Sequence, residues 1–294
     1  MKTVIFTRTG FHHASFVNRL QERFEVACVV REGYPESPKK GTVLSALRSI
    51  FRKDAAGLIH GERFLKKFHE SYSAGFRYHP MLKEYLRAHF DVVVEKPGTK
   101  YLNIRCGEIN SPDLRRYITS FNPDIIAVLG SSVIKPEMIS LPSVAMINIH
   151  SGLSPYYRGT WSYGWPIVNR EPEYIGVTVH HINAGIDTGD IIFQTKPVLR
   201  KDDDLNAIFL KVIAEGIELA VKAIEEISVR GIVASYRQPG KTGRLYRMRD
   251  FNFEAAQACI KNLEEGILGE YLSRRQERDS KVKLFGYVPP VIFR

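Results

Sequence analysis

The chain has 294 residues, 44% of them hydrophobic and 25% charged, a balance that fits a globular protein with a real core and excludes a disordered chain. No apolar run approaches the roughly 18 residues that a membrane-spanning helix needs, and the stretch from Met1 to Arg8 has too short an apolar core for a secretory leader. A cytoplasmic protein with no membrane partner is expected. A net charge of +10 favours anionic partners such as phosphates, nucleotides, folate glutamates or RNA without choosing among them. Cys28, Cys106 and Cys259 are too scattered for a disulfide framework or a zinc site.

Lys2 to Thr7 reads as a strand. Ala14 to Phe24 reads as a helix with Phe16, Val17, Leu20 and Phe24 on one stripe, and Val26 to Val30 as a second strand. This is the opening βαβ of a parallel α/β domain. The turn Thr9-Gly10-Phe11-His12-His13 carries neither GxGxxG nor a Walker pattern, which disfavours a dinucleotide or ATP site there. Residues from about 35 to 90 exceed what a crossover needs and carry helical stripes such as Leu44, Leu47, Ile50 and Phe51, so they read as an inserted helical segment. Asp91 to Val94 is expected as a third strand. A helix starts at Asn110-Ser111-Pro112-Asp113 and ends before Asn122-Pro123. Strands follow at Ile125–Leu129, Val144–His150, Val177–Ile182 and Ile191–Thr195, then a long amphipathic helix from Asp202-Asp203-Asp204 to about Ile227. In the tail, Val233–Arg237 and Leu245–Met248 read as the arms of a short hairpin, Asn252–Leu268 as a helix and Val282–Phe293 as extended chain. The expected architecture is α/β and Rossmann-like. A catalytic domain spans 1–230, with a mostly parallel central sheet and the helical insertion at about 35–90. A small C-terminal appendage spans 231–294.

Alternation places Asn148 and His150 on one face at the end of an otherwise apolar strand. Ligands of parallel α/β sheets sit beyond such carboxyl ends. An irregular loop, Ser151 to Gly159, follows. Asp187 sits near glycines in the turn that joins the next two strands. Each feature alone is also compatible with an ordinary structural polar residue or turn.

Taken together, Asn148-Ile149-His150, Leu153, Pro155, Tyr157-Arg158-Gly159, Val177-Thr178-Val179-His180 and Asp187-x-Gly189-x-Ile191-Ile192 resemble the folate-dependent formyltransferases. The resemblance is strong from about Pro123 to Gln194. It implies Asn148, His150 and Asp187 as catalytic residues and 10-formyltetrahydrofolate as the formyl donor, with no metal. It implies a folate pocket built from Val133, Ile134, His180, Ile182, Gly185 and Ile186. The loop at Tyr157, Arg158 and Gly159 falls on the acceptor side, with Arg158 either holding an acceptor oxygen or bracing the loop. In the implied chemistry an amine attacks the formyl carbon, Asn148 and a protonated His150 donate to the oxyanion, and Asp187 orients and charges the imidazole.

The sequence departs from the family's pattern at Gly152, where members often have Ser, so the role of that hydroxyl does not carry over. The first turn lacks the phosphate loop of glycinamide ribonucleotide transformylases. The tail looks too short for the tRNA-binding barrel of methionyl-tRNA formyltransferases. The leading expectation is therefore a small-molecule amine, an amino sugar on a nucleotide carrier, and a nucleic-acid partner is disfavoured. The alternatives are tRNA formylation, for which the cations and aromatics from Tyr236 to Phe251 interleave suitably, glycinamide ribonucleotide formylation, hydrolysis of the same folate, and a non-catalytic folate-binding or scaffolding module. The resemblance also allows a homodimer through the tail.

Overall fold

A computed structural model of the chain describes residues 1–33, 92–239 and 243–290. The helical insertion expected at about 35–90 lies outside the described residues. In chain order the elements are β1 (Thr3–Thr7), α1 (Phe11–Arg23), β2 (Val26–Glu32), β3 (Lys100–Ile104), α2 (Pro112–Thr119), β4 (Ile125–Leu129), α3 (Pro136–Ile139) and β5 (Ala145–His150). They continue with β6 (Tyr157–Gly159), α4 (Trp165–Val168), β7 (Val177–His181), β8 (Ile191–Thr195), α5 (Leu205–Arg230), β9 (Arg244–Tyr246), α6 (Phe253–Glu264), α7 (Ile267–Ser273) and α8 (Arg275–Asp279).

Seven strands form one sheet in the order β3-β2-β1-β4-β5-β7-β8. The first five run parallel, and β7 and β8 complete the sheet antiparallel. The inner strands are apolar at nearly every position because helices cover both faces. Ile5, Val29, Ile125, Ala127 and Ile147 pack with residues of α1 and α5 in one core. Their neighbours Val4, Phe6, Cys28, Ile126 and Val128 pack with Leu114, Ile118 and Met138 in the other. The strand order reverses between β1 and β4, and such a reversal opens a crevice at the carboxyl ends of the strands.

Local capping chemistry sets several boundaries. The Ser111 side chain accepts from Leu114 N to start α2, with Pro112 in the first turn. Asp204 accepts from Ala207 N to start α5, and Gly231 at φ 71° ends it three residues beyond the expected Ile227.

Three expectations are corrected. Residues 92–94 are not a strand. Val92 and Val94 are exposed, and the side chains of Asn18 and Gln21 on α1 take up their backbone groups. The edge strand is instead Lys100–Ile104. Among its described residues the tail has no hairpin. Val233–Arg237 contributes only an isolated bridge between Tyr236 and Ile191, and β9 pairs in parallel with β6. The partner of β9 is thus the loop after His150, a pairing with no local sequence signal. The expected 252–268 helix breaks at Gly266, φ 81°, into α6 and α7. Beyond it, among the described residues from 282 to 290, only a bridge between Tyr287 and Gln194 remains of the extended segment.

Candidate active site

On β5, Ile147 and Ile149 turn into the core shared with α5. That leaves Asn148 and His150 on the opposite face, as alternation requires. The antiparallel register of β7 sets His180 directly across from Asn148 and Thr178 across from His150. His180 Nδ1 lies 2.7 Å from the carbonyl of His181 and must donate to it. Its Nε2 is then a bare acceptor, and Asn148 Nδ2 donates to it at 3.1 Å. This fixes the amide orientation of Asn148 and leaves its second N–H for a ligand.

The loop from His150 to Gly159 is pinned by side chains from the sheet. Thr178 Oγ1 donates to Gly152 O at 2.7 Å and accepts from Ser154 N at 3.0 Å, and Gln194 Nε2 donates to Ser154 O at 2.6 Å. These bonds bring the Tyr157 carbonyl to His150, whose Nε2 donates to it at 2.7 Å. A Cβ at Gly152 would lie 2.5 Å from Ser162 Cβ and 2.8 Å from His150 Nε2. The serine that resembling sequences often carry has no room here.

Asp187 sits in the turn between β7 and β8 with φ 52°, a left-handed conformation that Asp and Asn tolerate best. Gln238 Nε2 ties this turn down by donating to the carbonyls of Asp187 at 2.9 Å and Gly189 at 2.7 Å. Asp187 Oδ2 accepts from Gly159 N at 2.7 Å and lies 3.4 Å from His150 Nδ1, and Oδ1 lies 3.6 Å from His180 Nε2. Asn148, His150 and Asp187 therefore converge although a loop and two strands separate them in the chain.

Burial pushes the Asp187 carboxyl up, but the facing imidazoles of His150 and His180 and the Gly159 amide outweigh it and hold the carboxyl well below the usual carboxylate range. Burial lowers the pKa of His150, against the opposing pull of Asp187 and of the Tyr157 carbonyl. The expectation of an imidazole charged by Asp187 is thus corrected, because desolvation outweighs the carboxylate. In the neutral ring Nε2 holds the hydrogen and the bare Nδ1 faces Asp187. A proton taken up at Nδ1 would lie between two groups that hold it.

The site opens into a cavity of about 850 Å³ at the carboxyl ends of β1, β4 and β5. All six expected folate-pocket residues, Val133, Ile134, His180, Ile182, Gly185 and Ile186, line it, as does Gly159. Tyr157 does not, which corrects its expected contact with an acceptor. Its ring is 1% exposed, and its hydroxyl donates to Glu171 and accepts from Asn169 and Arg244. Its part at the site is its carbonyl. Arg158 is also absent from the lining, and its Nε is buried without a hydrogen-bond partner. Sequence reasoning missed Arg8, His12, Trp161, Phe209 and the segment Leu245–Met248, all of which line the cavity. The first turn carries no nucleotide-binding pattern, and nothing local marks β9 as a neighbour of His150.

A Rossmann-like sheet with a polar pair ending an inner strand defines the class, an α/β protein with a crevice at the carboxyl ends of its strands. The family described as formyl transferase matches residues 88–224, which include Asn148, His150 and Asp187. A methionyl-tRNA formyltransferase of Chlorobium chlorochromatii is 23% identical over 182 residues, 60% of this chain and 58% of that protein. The chain spans about half the length of the curated relatives it matches. Among solved structures, a sugar N-formyltransferase from Shewanella sp FDAARGOS_354 shares the fold with a TM-score of 0.53 at 15% identity, over 90% of this chain and 87% of that one. An N-formyltransferase from Helicobacter canadensis, in complex with folinic acid and dTDP-3-aminofucose, does so with a TM-score of 0.50 at 17% identity, over 90% and 81%. Over residues 88–224 the chain is similar to the folate-dependent formyltransferases.

Proposed function

We propose that the protein moves the formyl group of 10-formyltetrahydrofolate to the amine of a small molecule, an amino sugar carried on a nucleotide. The observation that carries this reading is the convergence of Asn148, His150 and Asp187 at the floor of one cavity with a folate-compatible wall. Val133 and Ile186 leave 68% and 42% of their surface uncovered although they border that cavity, as apolar residues awaiting a flat ring do. The neighbouring turn is held rigid by Asn183 Oδ1, which accepts from Gly185 N at 2.9 Å and Thr188 Oγ1 at 2.7 Å. Val133, Ile134 and Ile182 to Ile186 would hold the pterin end.

The folate supplies an activated formyl carbon. The second N–H of Asn148 donates to the oxygen that gains charge during attack, an effect typically worth about 3–4 kcal/mol. His150 Nδ1 takes the proton that the attacking amine must lose and returns it to the folate nitrogen as the bond from that nitrogen to the formyl carbon breaks, releasing tetrahydrofolate. The ionised Asp187 carboxylate at 3.4 Å stabilises the imidazolium so formed, and the Tyr157 carbonyl fixes the ring at Nε2. The nucleotide-linked acceptor is supported by the sugar N-formyltransferase folds named above, one of them in complex with a nucleotide sugar.

The curated relatives favour a second reading, formylation of methionyl-tRNA. Incubation with 10-formyltetrahydrofolate and, separately, a panel of nucleotide-linked amino sugars and charged initiator tRNA separates the two by the mass of the formylated product. Formate release without any amine would overturn both readings in favour of hydrolysis.

A further inference from the structure

The catalytic end of the cavity leaves open what holds the rest of the acceptor. Two arginines, Arg8 and Arg247, line the cavity among the described residues. Arg8 is already neutralised: it lies 3.3 Å from Glu32, a fully buried carboxylate, and donates to Gly33 O at 2.8 Å. The nearby start of α1, a place where anions often bind, carries His12 and His13, whose ring centroids lie 4.0 Å apart with their planes tilted by 39°. Burial lowers His12 to about 4 and His13 well below its usual value, so both are neutral near pH 7. Among the described residues, Arg8 is the one charged cation at this end of the cavity, and it is already paired with Glu32.

The opposite wall is different. Arg247 is exposed, lines the cavity and makes no ion pair among the described residues. Its backbone is held on both sides. Tyr246 stacks on Trp165 at 3.8 Å and pairs with Gly159, the residue whose N–H binds Asp187. The pairing is so close that a Cβ on Gly159 would fall 1.9 Å from Tyr246 O. Arg247 N donates to Asp250 Oδ2 at 2.6 Å, and Phe251 stacks on Trp161 at 4.3 Å with an interplanar angle of 6°. Trp161 itself lines the cavity with φ 58°, a conformation costly for a bulky residue and found where a site requires it. Gly164 N and Trp165 N hold that turn by donating to Trp161 O at 2.8 and 3.1 Å.

From this geometry we propose that Arg247 and Trp161 form the subsite for a nucleoside diphosphate, the carrier of the acceptor amine. The guanidinium takes phosphate oxygens by its fork of donors, and the indole, braced from behind by Phe251, takes a planar base or sugar face. The inference rests on the formyl-transfer reading and goes further by assigning the carrier to β9 and its flank, not to the first turn.

The test uses the full-length protein, with UDP and dTDP as probes in titration calorimetry and tetrahydrofolate titrated separately. Wild type is expected to bind at least one of the two nucleotides. Arg247→Gln should weaken that binding at least tenfold, and Trp161→Ala should weaken it as well. Arg249→Gln, a neighbouring exposed cation, should leave it unchanged. Tetrahydrofolate affinity and melting temperature should be the same in Arg247→Gln and wild type. Nucleotide binding unaffected by Arg247→Gln would overturn the subsite. So would wild type that binds tetrahydrofolate but neither nucleotide, a result that leaves formyl transfer itself standing. Salt-sensitive binding of tRNA lost in Arg247→Gln, with no binding of UDP or dTDP, would overturn it in favour of an RNA contact. Failure of wild type to bind tetrahydrofolate would instead sink the formyl-transfer reading on which it rests.

Discussion

Asp187→Asn isolates a charge from a shape. The left-handed backbone at Asp187, φ 52°, suits Asn as well as Asp, and an Asn oxygen can still accept from Gly159 N, now 2.7 Å from Oδ2. What disappears is the negative charge 3.4 Å from His150 Nδ1. At an effective dielectric of about 20, that pair is worth about 5 kcal/mol once the imidazole is protonated. If solvent and small shifts recover about half, roughly 2.7 kcal/mol of transition-state stabilisation remains to be lost, or about a hundredfold in rate. The charge on His150 builds during reaction, so the loss should fall on kcat and leave the acceptor KM nearly unchanged. The carboxylate raises the pKa of His150 against the stronger effect of burial. Its removal should move any inflection due to His150 to lower pH. Steady-state kinetics from pH 5 to 9 on folded variant and wild type would read both effects. A variant with kcat within a few-fold of wild type would show that Asp187 serves only as a turn residue, and the proton path through His150 Nδ1 would fall.

Three further outcomes follow from the same geometry. His12, lowered from 6.5 to about 4, His13 and His150 are all held neutral by burial. Unfolding therefore takes up protons below the unfolded value. Stability should be full above pH 6.5 and fall as pH drops toward 4, by about 3 kcal/mol from His12 alone; urea unfolding at pH 7.5 and 4.5 with equal free energies would contradict this. Gly152→Ser places atoms 2.8 Å from His150 Nε2 and 2.5 Å from Ser162 Cβ. It should cost about 1–3 kcal/mol of stability and most of kcat, measured by thermal melt and turnover, and a fully active variant would refute the crowding. Tyr157→Phe removes a hydroxyl shared by Glu171, Asn169 and Arg244. About 1–2 kcal/mol of stability should be lost with the acceptor KM unchanged, and a raised KM would restore Tyr157 to the acceptor site.

Periodicity and end signals fixed much of this protein before any packing was considered. Alternation alone put Asn148 and His150 on one face, since a strand has no other way to orient them. Ser111, Pro112 and Asp204 announced the starts of α2 and α5 because capping is satisfied within a few residues. The apolar run Ile125–Leu129 read as a buried strand, and β4 is buried at all five positions. Tertiary structure decided what depends on distant partners. It withdrew 92–94 from the sheet, because α1 supplies Asn18 and Gln21 to its backbone. It carried β9 past the hairpin to pair with β6, where Tyr246 meets Gly159. It turned Tyr157 inward and used its carbonyl to fix His150. It also reversed the expected charge state of that ring. Desolvation is a property of everything packed around a side chain, and a carboxylate nearby in the sequence pattern says nothing of how much water the fold removes.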